Sequence, residues 1–129
     1  MTFPTTTLPI TSSVLVVDDD AAIRSVVGEA LDMIGYRVLV AADGAEALAV
    51  LERERPCAVL LDMRMPVMDG WGFAREARRR GHRFPIAVMT AADNAQTWCD
   101  EVEGDACLAK PFDVSALFET VDRLCKTGP

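Results

Sequence analysis

Five short apolar runs, each followed by a stretch whose apolar residues recur at helical spacing or which opens on a helix signal, constrain this chain more than any other feature. They mark candidate strands over Val14 to Val17, Tyr36 to Ala41, Cys57 to Leu61, Phe84 to Met89 and Asp105 to Ala109. Continuous aliphatic and β-branched runs of this length suit strands buried on both faces, as in a parallel sheet. Pro85 is acceptable only near the start of its strand, because it cannot donate to a ladder. After the first run, Ile23, Val26, Val27, Ala30, Leu31 and Ile34 line one face of a helix that Gly35 terminates. Asp43 and Glu46 form a capping box opening a second helix through about Glu54, and Gly70 to about Arg80 is a third. Asp113 caps a fifth helix carrying Val114, Leu117, Phe118, Val121, Leu124 and Cys125 on one face. The fourth, Asn94 to Glu103, has no clean apolar stripe, so an irregular or shortened fourth helix is expected there.

Strict strand–helix alternation implies right-handed crossovers and a parallel sheet covered on both sides. The expected fold is therefore α/β, a doubly wound, flavodoxin-like sandwich of five parallel strands and five helices. The order 2-1-3-4-5 is the common five-strand solution. With 129 residues there is room for one domain, and no internal repeat is present. Residues 1–13, rich in Thr, Ser and Pro, read as a loose tail, and 14–126 as the domain. The three residues after Lys126 are too few for a further domain, and none is expected in this sequence.

Twenty acidic against 13 basic residues give a net charge of -7, which disfavours binding to nucleic acid or anionic membrane. The longest apolar run is five residues, far short of a membrane span, and no secretory leader is legible. A cytoplasmic location is expected. The four cysteines, Cys57, Cys99, Cys107 and Cys125, form no CxxC pair, and His82 is the sole histidine, which argues against zinc. They are read as reduced structural thiols in a reducing compartment. Arg75, Arg78, Arg79, Arg80 and Arg83 interrupt the acidic balance; they read as a solvated helix end, with an anionic-partner patch the alternative. Trp98 and Cys99 read as packing against the sheet rather than as a partner anchor.

In a parallel α/β sheet, function collects beyond the carboxyl ends of the strands. The first strand runs into Asp18-Asp19-Asp20, the third into Asp62, the fourth into Thr90 and the fifth into Lys110-Pro111. Asp20 is a helix cap by position. If the first and third strands are neighbours, Asp18, Asp19 and Asp62 converge, and clustered carboxylates call for a cation. A hard divalent ion suits an oxygen-only site open to water, Mg²⁺ above all; Mn²⁺ could take its place. A carboxylate nucleophile, a metal, a lysine and a hydroxyl are the equipment for phosphoryl transfer onto aspartate.

These residues resemble the receiver domain of bacterial two-component response regulators. The matching stretches are Val14 to Asp20, Asp62 to Gly70, Met89-Thr90-Ala91 and Ala109-Lys110-Pro111-Phe112, within a likeness covering about residues 14–125. The resemblance implies Asp62 as phosphoacceptor, with Asp18, Asp19, Asp62 and the Arg64 backbone carbonyl holding Mg²⁺. It implies Thr90 as the hydroxyl that reports the phosphoryl group, Lys110 as its counter-ion, and a cis Lys110–Pro111 peptide. It further implies a sensor histidine kinase or histidine phosphotransfer protein as donor, a downstream protein target, and a monomer or phosphorylation-dependent dimer. His82 is not the donor, because it belongs to the opposite end of the sheet. Two departures stand out. Cys107 occupies the place three before the lysine where the family carries a switching aromatic residue, and the stretch from Thr90 to Lys110 is slightly short. Arg64 and Ala92 stand where the family tunes acyl-phosphate lifetime, and neither orients water well, so slow to moderate self-hydrolysis is expected. A phosphorylation-independent docking module is the competing reading. A phosphatase is disfavoured, because Arg64 stands where such an enzyme needs an acid and no capping insertion is present.

Overall fold

The computed structural model describes residues 12–127, and the tail expected over 1–13 lies outside them except for Ser12 and Ser13. The elements alternate from start to finish: β1 (Ser13–Val17), α1 (Ala21–Met33), β2 (Arg37–Ala41), α2 (Gly44–Leu51), β3 (Ala58–Asp62), α3 (Gly70–Arg79), β4 (Ile86–Ala91), α4 (Ala92–Glu101), β5 (Ala106–Lys110) and α5 (Val114–Thr127). The strands form one sheet in the order β2-β1-β3-β4-β5, every neighbouring pair parallel.

Successive side chains of a strand point to opposite faces, so each apolar run feeds two cores at once. Leu15, Val17, Val59, Leu61, Ile86 and Val88 meet α2, α3 and α4 through Leu48, Phe73, Ala77 and Val102. Val14, Val16, Ala58, Leu60, Ala87 and Met89 meet α1 and α5 through Val27, Leu31, Leu117, Val121 and Leu124. β1 and β3 are buried along their whole length, as central strands covered on both faces must be.

Local signals set the helix ends. The Asp20, Asp43, Asp69 and Asp113 carboxylates each accept a backbone N–H of the following first turn, at 2.8–2.9 Å. The box at α2 closes with Glu46 accepting from Ala42 N–H at 2.8 Å rather than from the cap residue itself. Gly35 follows α1 at φ 101°, a left-handed position that suits a residue without Cβ.

Three expectations need correction. α4 is a regular helix of ten residues, as long as α3. Its buried stripe, continued one residue past its end, is Ala95, Cys99 and Val102 at i, i+4 and i+7, two of them small, which is why the apolar signal was faint. The brevity of this stretch lies in its entry, since α4 starts directly from β4 with no side-chain cap. β4 itself begins after Pro85 and runs to Ala91, which places Thr90 within the strand. Pro85 still takes part through its carbonyl, which accepts from Val59 N–H at 2.9 Å. Finally, Cys57 and Cys125 form a disulfide, with Cα atoms 4.9 Å apart, leaving Cys99 and Cys107 as free thiols among the described residues. Cys57 stands at the entry of β3 and Cys125 in the last turn of α5, a juxtaposition made by tertiary packing that a 68-residue spacing does not reveal. With it goes the argument from cysteine chemistry for a reducing compartment. No helix among the described residues is long and apolar enough to cross a membrane.

Candidate functional site

β1 and β3 are hydrogen-bonded neighbours at the middle of the sheet, in register Val17 with Leu61, so their carboxyl ends deliver Asp18 and Asp62 side by side. One oxygen from each of Asp18, Asp19 and Asp62 lies within 4.8 Å of the others. Asp18 is 1% exposed and Asp62 7%, whereas Asp19 is exposed. Asp18 is held on every side. Its N–H donates to the Ala41 carbonyl at 3.1 Å, its Oδ1 accepts from Asp20 N–H at 2.9 Å, and its carbonyl accepts from Arg24 Nη1 at 2.8 Å.

Lys110, the last residue of β5, closes the site from the other edge. Its Nζ donates to Asp18 Oδ2 at 2.9 Å and stands 3.8 Å from Asp62 Oδ1. Burial alone would lower the lysine pKa, but the Asp18 hydrogen bond and the charges of Asp62, Asp18 and Asp20 outweigh it and raise it. The ammonium therefore stays charged. The Lys110–Pro111 peptide is cis. Burial, then the neighbouring charge of Asp18 and more weakly that of Asp19, pushes the Asp62 carboxyl up to about 6, against the opposing pull of Lys110 and the Met63 N–H.

Three carboxylates and one ammonium leave two negative charges when all are ionised. An oxygen-only donor set with that residual charge, two ligands buried and one open to water, fits a hard divalent cation such as Mg²⁺. Such an ion would hold Asp62 ionised and so available as a nucleophile.

Thr90 is buried at 5% exposure in β4, between β3 and β5, one position past the Asp62–Met89 pair and in register with Ala109. Asp62, Thr90 and Lys110 thus stand at the carboxyl ends of three adjacent strands. Asp19, Met63, Arg64, Met65, Pro66, Asp69 and Trp71 line an open pocket of about 430 Å³ beside the carboxylates, large enough to admit a phosphoryl group. Cys107 is half-buried and packs against the core on the α4 side of the sheet, beside Cys99.

Sequence reasoning missed an aromatic bridge next to the site. Trp71 at the start of α3 and Trp98 on α4 meet edge to face with centroids 5.0 Å apart. The Trp71 Nε1–H donates to Glu101 at 2.7 Å, and the Arg64 guanidinium lies over the Trp98 ring, 5.9 Å from its centroid. Only the burial of Trp98 was legible, since nothing in the linear order ties position 71 to position 98. The arginine cluster behaves as a solvated helix end. Glu76 takes Arg79 and Arg80, Glu52 takes Arg80 and His82, and Arg78 reaches Glu103. His82 lies there, at the end of the sheet opposite the carboxylates.

Comparison with known proteins agrees with this geometry. The family model described as "Response regulator receiver domain" matches residues 14–122. The probable transcriptional regulator ycf27 of Porphyridium aerugineum is 40% identical over 106 residues, covering 81% of this chain and 44% of that protein. Response regulator MprA of Mycobacterium sp. (strain KMS) is 39% identical over 119 residues, covering 90% and 52%. The chain thus spans about half the length of these relatives. Among solved structures, chemotaxis response regulator CheY4 of Vibrio cholerae superposes with a TM-score of 0.80 at 34% identity, covering 88% of this chain and 98% of that one. The receiver domain of sensor histidine kinase PA1611 from Pseudomonas aeruginosa gives 0.83 at 33% identity, covering 91% and 99%; that structure holds a magnesium ion in its active-site cleft. Five parallel strands in this order, three acidic side chains at their carboxyl ends and a family match across nearly the whole chain lead to one conclusion: the chain belongs to the response regulator receiver domain family.

Proposed function

We propose that residues 14–126 act as a phosphoacceptor, with Asp62 taking a phosphoryl group from a phosphohistidine. The observation that carries this is the Asp18–Asp19–Asp62 cluster capped by Lys110 at 2.9 and 3.8 Å. In the transfer, a carboxylate oxygen of Asp62 forms the new P–O bond in line with the breaking P–N bond. The electron pair of that bond leaves with the imidazole. The acceptor's work is positioning and charge neutralisation, since there is little else for a protein to supply in a loose phosphoryl transfer. Lys110 would pair with a phosphoryl oxygen once Asp62 is an acyl phosphate, and the Thr90 hydroxyl would donate to another. Asp18, Asp19, Asp62 and the Arg64 carbonyl would hold Mg²⁺, or Mn²⁺ in its place, which when bound neutralises charge on the transferring group.

The donor in this reading is a sensor histidine kinase or histidine phosphotransfer protein in the cytoplasm. The output is an altered surface offered to a downstream protein, as a monomer or a phosphorylation-dependent dimer. The protein turns over no external substrate and catalyses only its own phosphorylation and dephosphorylation. Cys107 cannot swing a ring between buried and exposed states, so the switch must use Thr90 with other partners. Intact-mass spectrometry after incubation with acetyl phosphate tests the reading. One adduct is expected that requires Mg²⁺ and is absent from Asp62→Asn. Specific binding of a partner with equal affinity for wild type and Asp62→Asn would instead favour a phosphorylation-independent docking module.

A further inference from the structure

We propose that Arg64 is a positioning residue that couples a phosphoryl group on Asp62 to α4, through the face of Trp98. The inference rests on Asp62 being the acceptor. Arg64 is two residues beyond Asp62 and lines the same open pocket as Asp19, so its exposed side chain already borders the space a phosphoryl group would fill. Its guanidinium now lies over Trp98, 5.9 Å from the ring centroid. Trp98 meets Trp71 edge to face, and Trp71 Nε1–H reaches Glu101, one turn beyond Trp98 on α4. Arg64, Trp98, Trp71 and Glu101 therefore form one continuous bridge that fastens α4 to the β3–α3 loop and to the start of α3.

α4 is the element such a bridge can bias. It leaves β4 without a side-chain cap, one residue past Thr90, and its buried stripe comprises Ala95, Cys99 and, just past its end, Val102, two of them small. Trp98 is the one large apolar side chain of this helix, so what Trp98 touches bears on where the helix sits. A phosphoryl group would bring about two negative charges to within two residues of Arg64. A charge-assisted hydrogen bond from guanidinium to phosphate outranks a cation–π contact at a wet site. Arg64 would then leave Trp98 for the phosphoryl oxygens, and the bridge would lose its anchor on the acceptor loop. The arrangement delivers the state of Asp62 to α4 without a switching ring on β5.

The chain's two tryptophans are Trp71 and Trp98, so emission reports the bridge directly. The 129-residue chain is treated with acetyl phosphate and Mg²⁺, with tryptophan emission, acrylamide quenching and intact mass read on the same sample. Wild type is expected to show red-shifted emission and stronger quenching in step with the adduct, beyond any effect of Mg²⁺ alone. Trp98→Phe should abolish that change. Arg64→Met, which keeps length without charge, should start from the shifted spectrum and change little as its adduct forms; Arg64→Lys, which keeps the charge but neither the planar stack nor the fork, should give a weaker response than wild type. A response in Arg64→Met equal to wild type would overturn the proposal, as would a wild-type adduct with no emission change. Absence of any adduct on wild type would remove the acceptor reading and this inference with it.

Discussion

Gly70 opens α3 immediately after the acceptor loop, and substituting alanine there separates two effects that usually travel together. On propensity alone Gly→Ala at a helical position should stabilise by about 0.5–1 kcal/mol, because alanine has less backbone entropy to lose. At Gly70, however, a Cβ would sit 2.5 Å from Met63 Sδ, 2.9 Å from Met63 Cα and 3.0 Å from the Asp62 carbonyl oxygen. The methionine is fully buried and the other two atoms are backbone, so neither can yield without moving the end of β3. Overpacking of this kind costs roughly 1–3 kcal/mol, which leaves a net loss of up to about 2.5 kcal/mol. Gly28 in α1 is the control, since a Cβ there meets only Val38 Cγ1, at 3.4 Å. Gly28→Ala should gain about 0.5–1 kcal/mol. Urea unfolding with unchanged slope reads both, and a midpoint lower for Gly70→Ala but higher for Gly28→Ala is expected. Displacing Asp62 should also slow adduct formation from acetyl phosphate by about tenfold. Gly70→Ala at or above wild-type stability would refute the reasoning.

Three further outcomes can be measured independently. Val67 is 84% exposed at φ 68°, a left-handed conformation that costs a β-branched residue about 1–2 kcal/mol while its side chain buries little. Val67→Asn should therefore raise the urea midpoint by about 1 kcal/mol of stability, and an unchanged midpoint would count against stored strain. Tyr36, the single tyrosine, has its phenol pushed up to about 12 by burial, by its 2.6 Å hydrogen bond to Asp122 and by the charge of that carboxylate. The unfolded phenol ionises near 10, so the Tyr36 contribution to stability is full below that pH and lost as pH rises towards 12. Absorbance titration at the tyrosinate band should give one late midpoint that falls in Asp122→Asn; a midpoint near 10 in wild type would contradict the contact. Burial also pushes the Cys99 thiol up to about 11, which leaves about one part in a thousand as thiolate at pH 8. Cys99 should resist iodoacetamide in the native protein and react on unfolding, and rapid native labelling would show that α4 does not cover it.

What could be read in the sequence was whatever depends on local periodicity and capping. Val14 to Val17 and Ala58 to Leu61 are buried on both faces, and the sequence shows that directly as unbroken apolar runs. Asp20, Asp43 and Asp113 announce their helices because a cap acts within three residues of itself. The carboxylate cluster was legible for a different reason: a parallel sheet collects strand ends, so four polar residues at four successive ends must meet if the strand order is right. The failures share a cause. The Cys57–Cys125 bond, the Trp71–Trp98 contact and the reach of Glu101 to Trp71 join residues 27 to 68 positions apart, and no local pattern encodes such pairs. α4 was misjudged because small residues pack a helix as closely as large ones while leaving little apolar signal.

If the Asp62 carboxylate carries the phosphoryl group, chemical trapping identifies it. Protein treated with acetyl phosphate and Mg²⁺ is reduced with borohydride, which converts an aspartyl phosphate to homoserine, then digested and sequenced by tandem mass spectrometry. Homoserine is expected at position 62 and at no other aspartate, lost when EDTA replaces Mg²⁺. Homoserine at Asp18 or Asp19, or equal yield at position 62 with and without the metal, would contradict it.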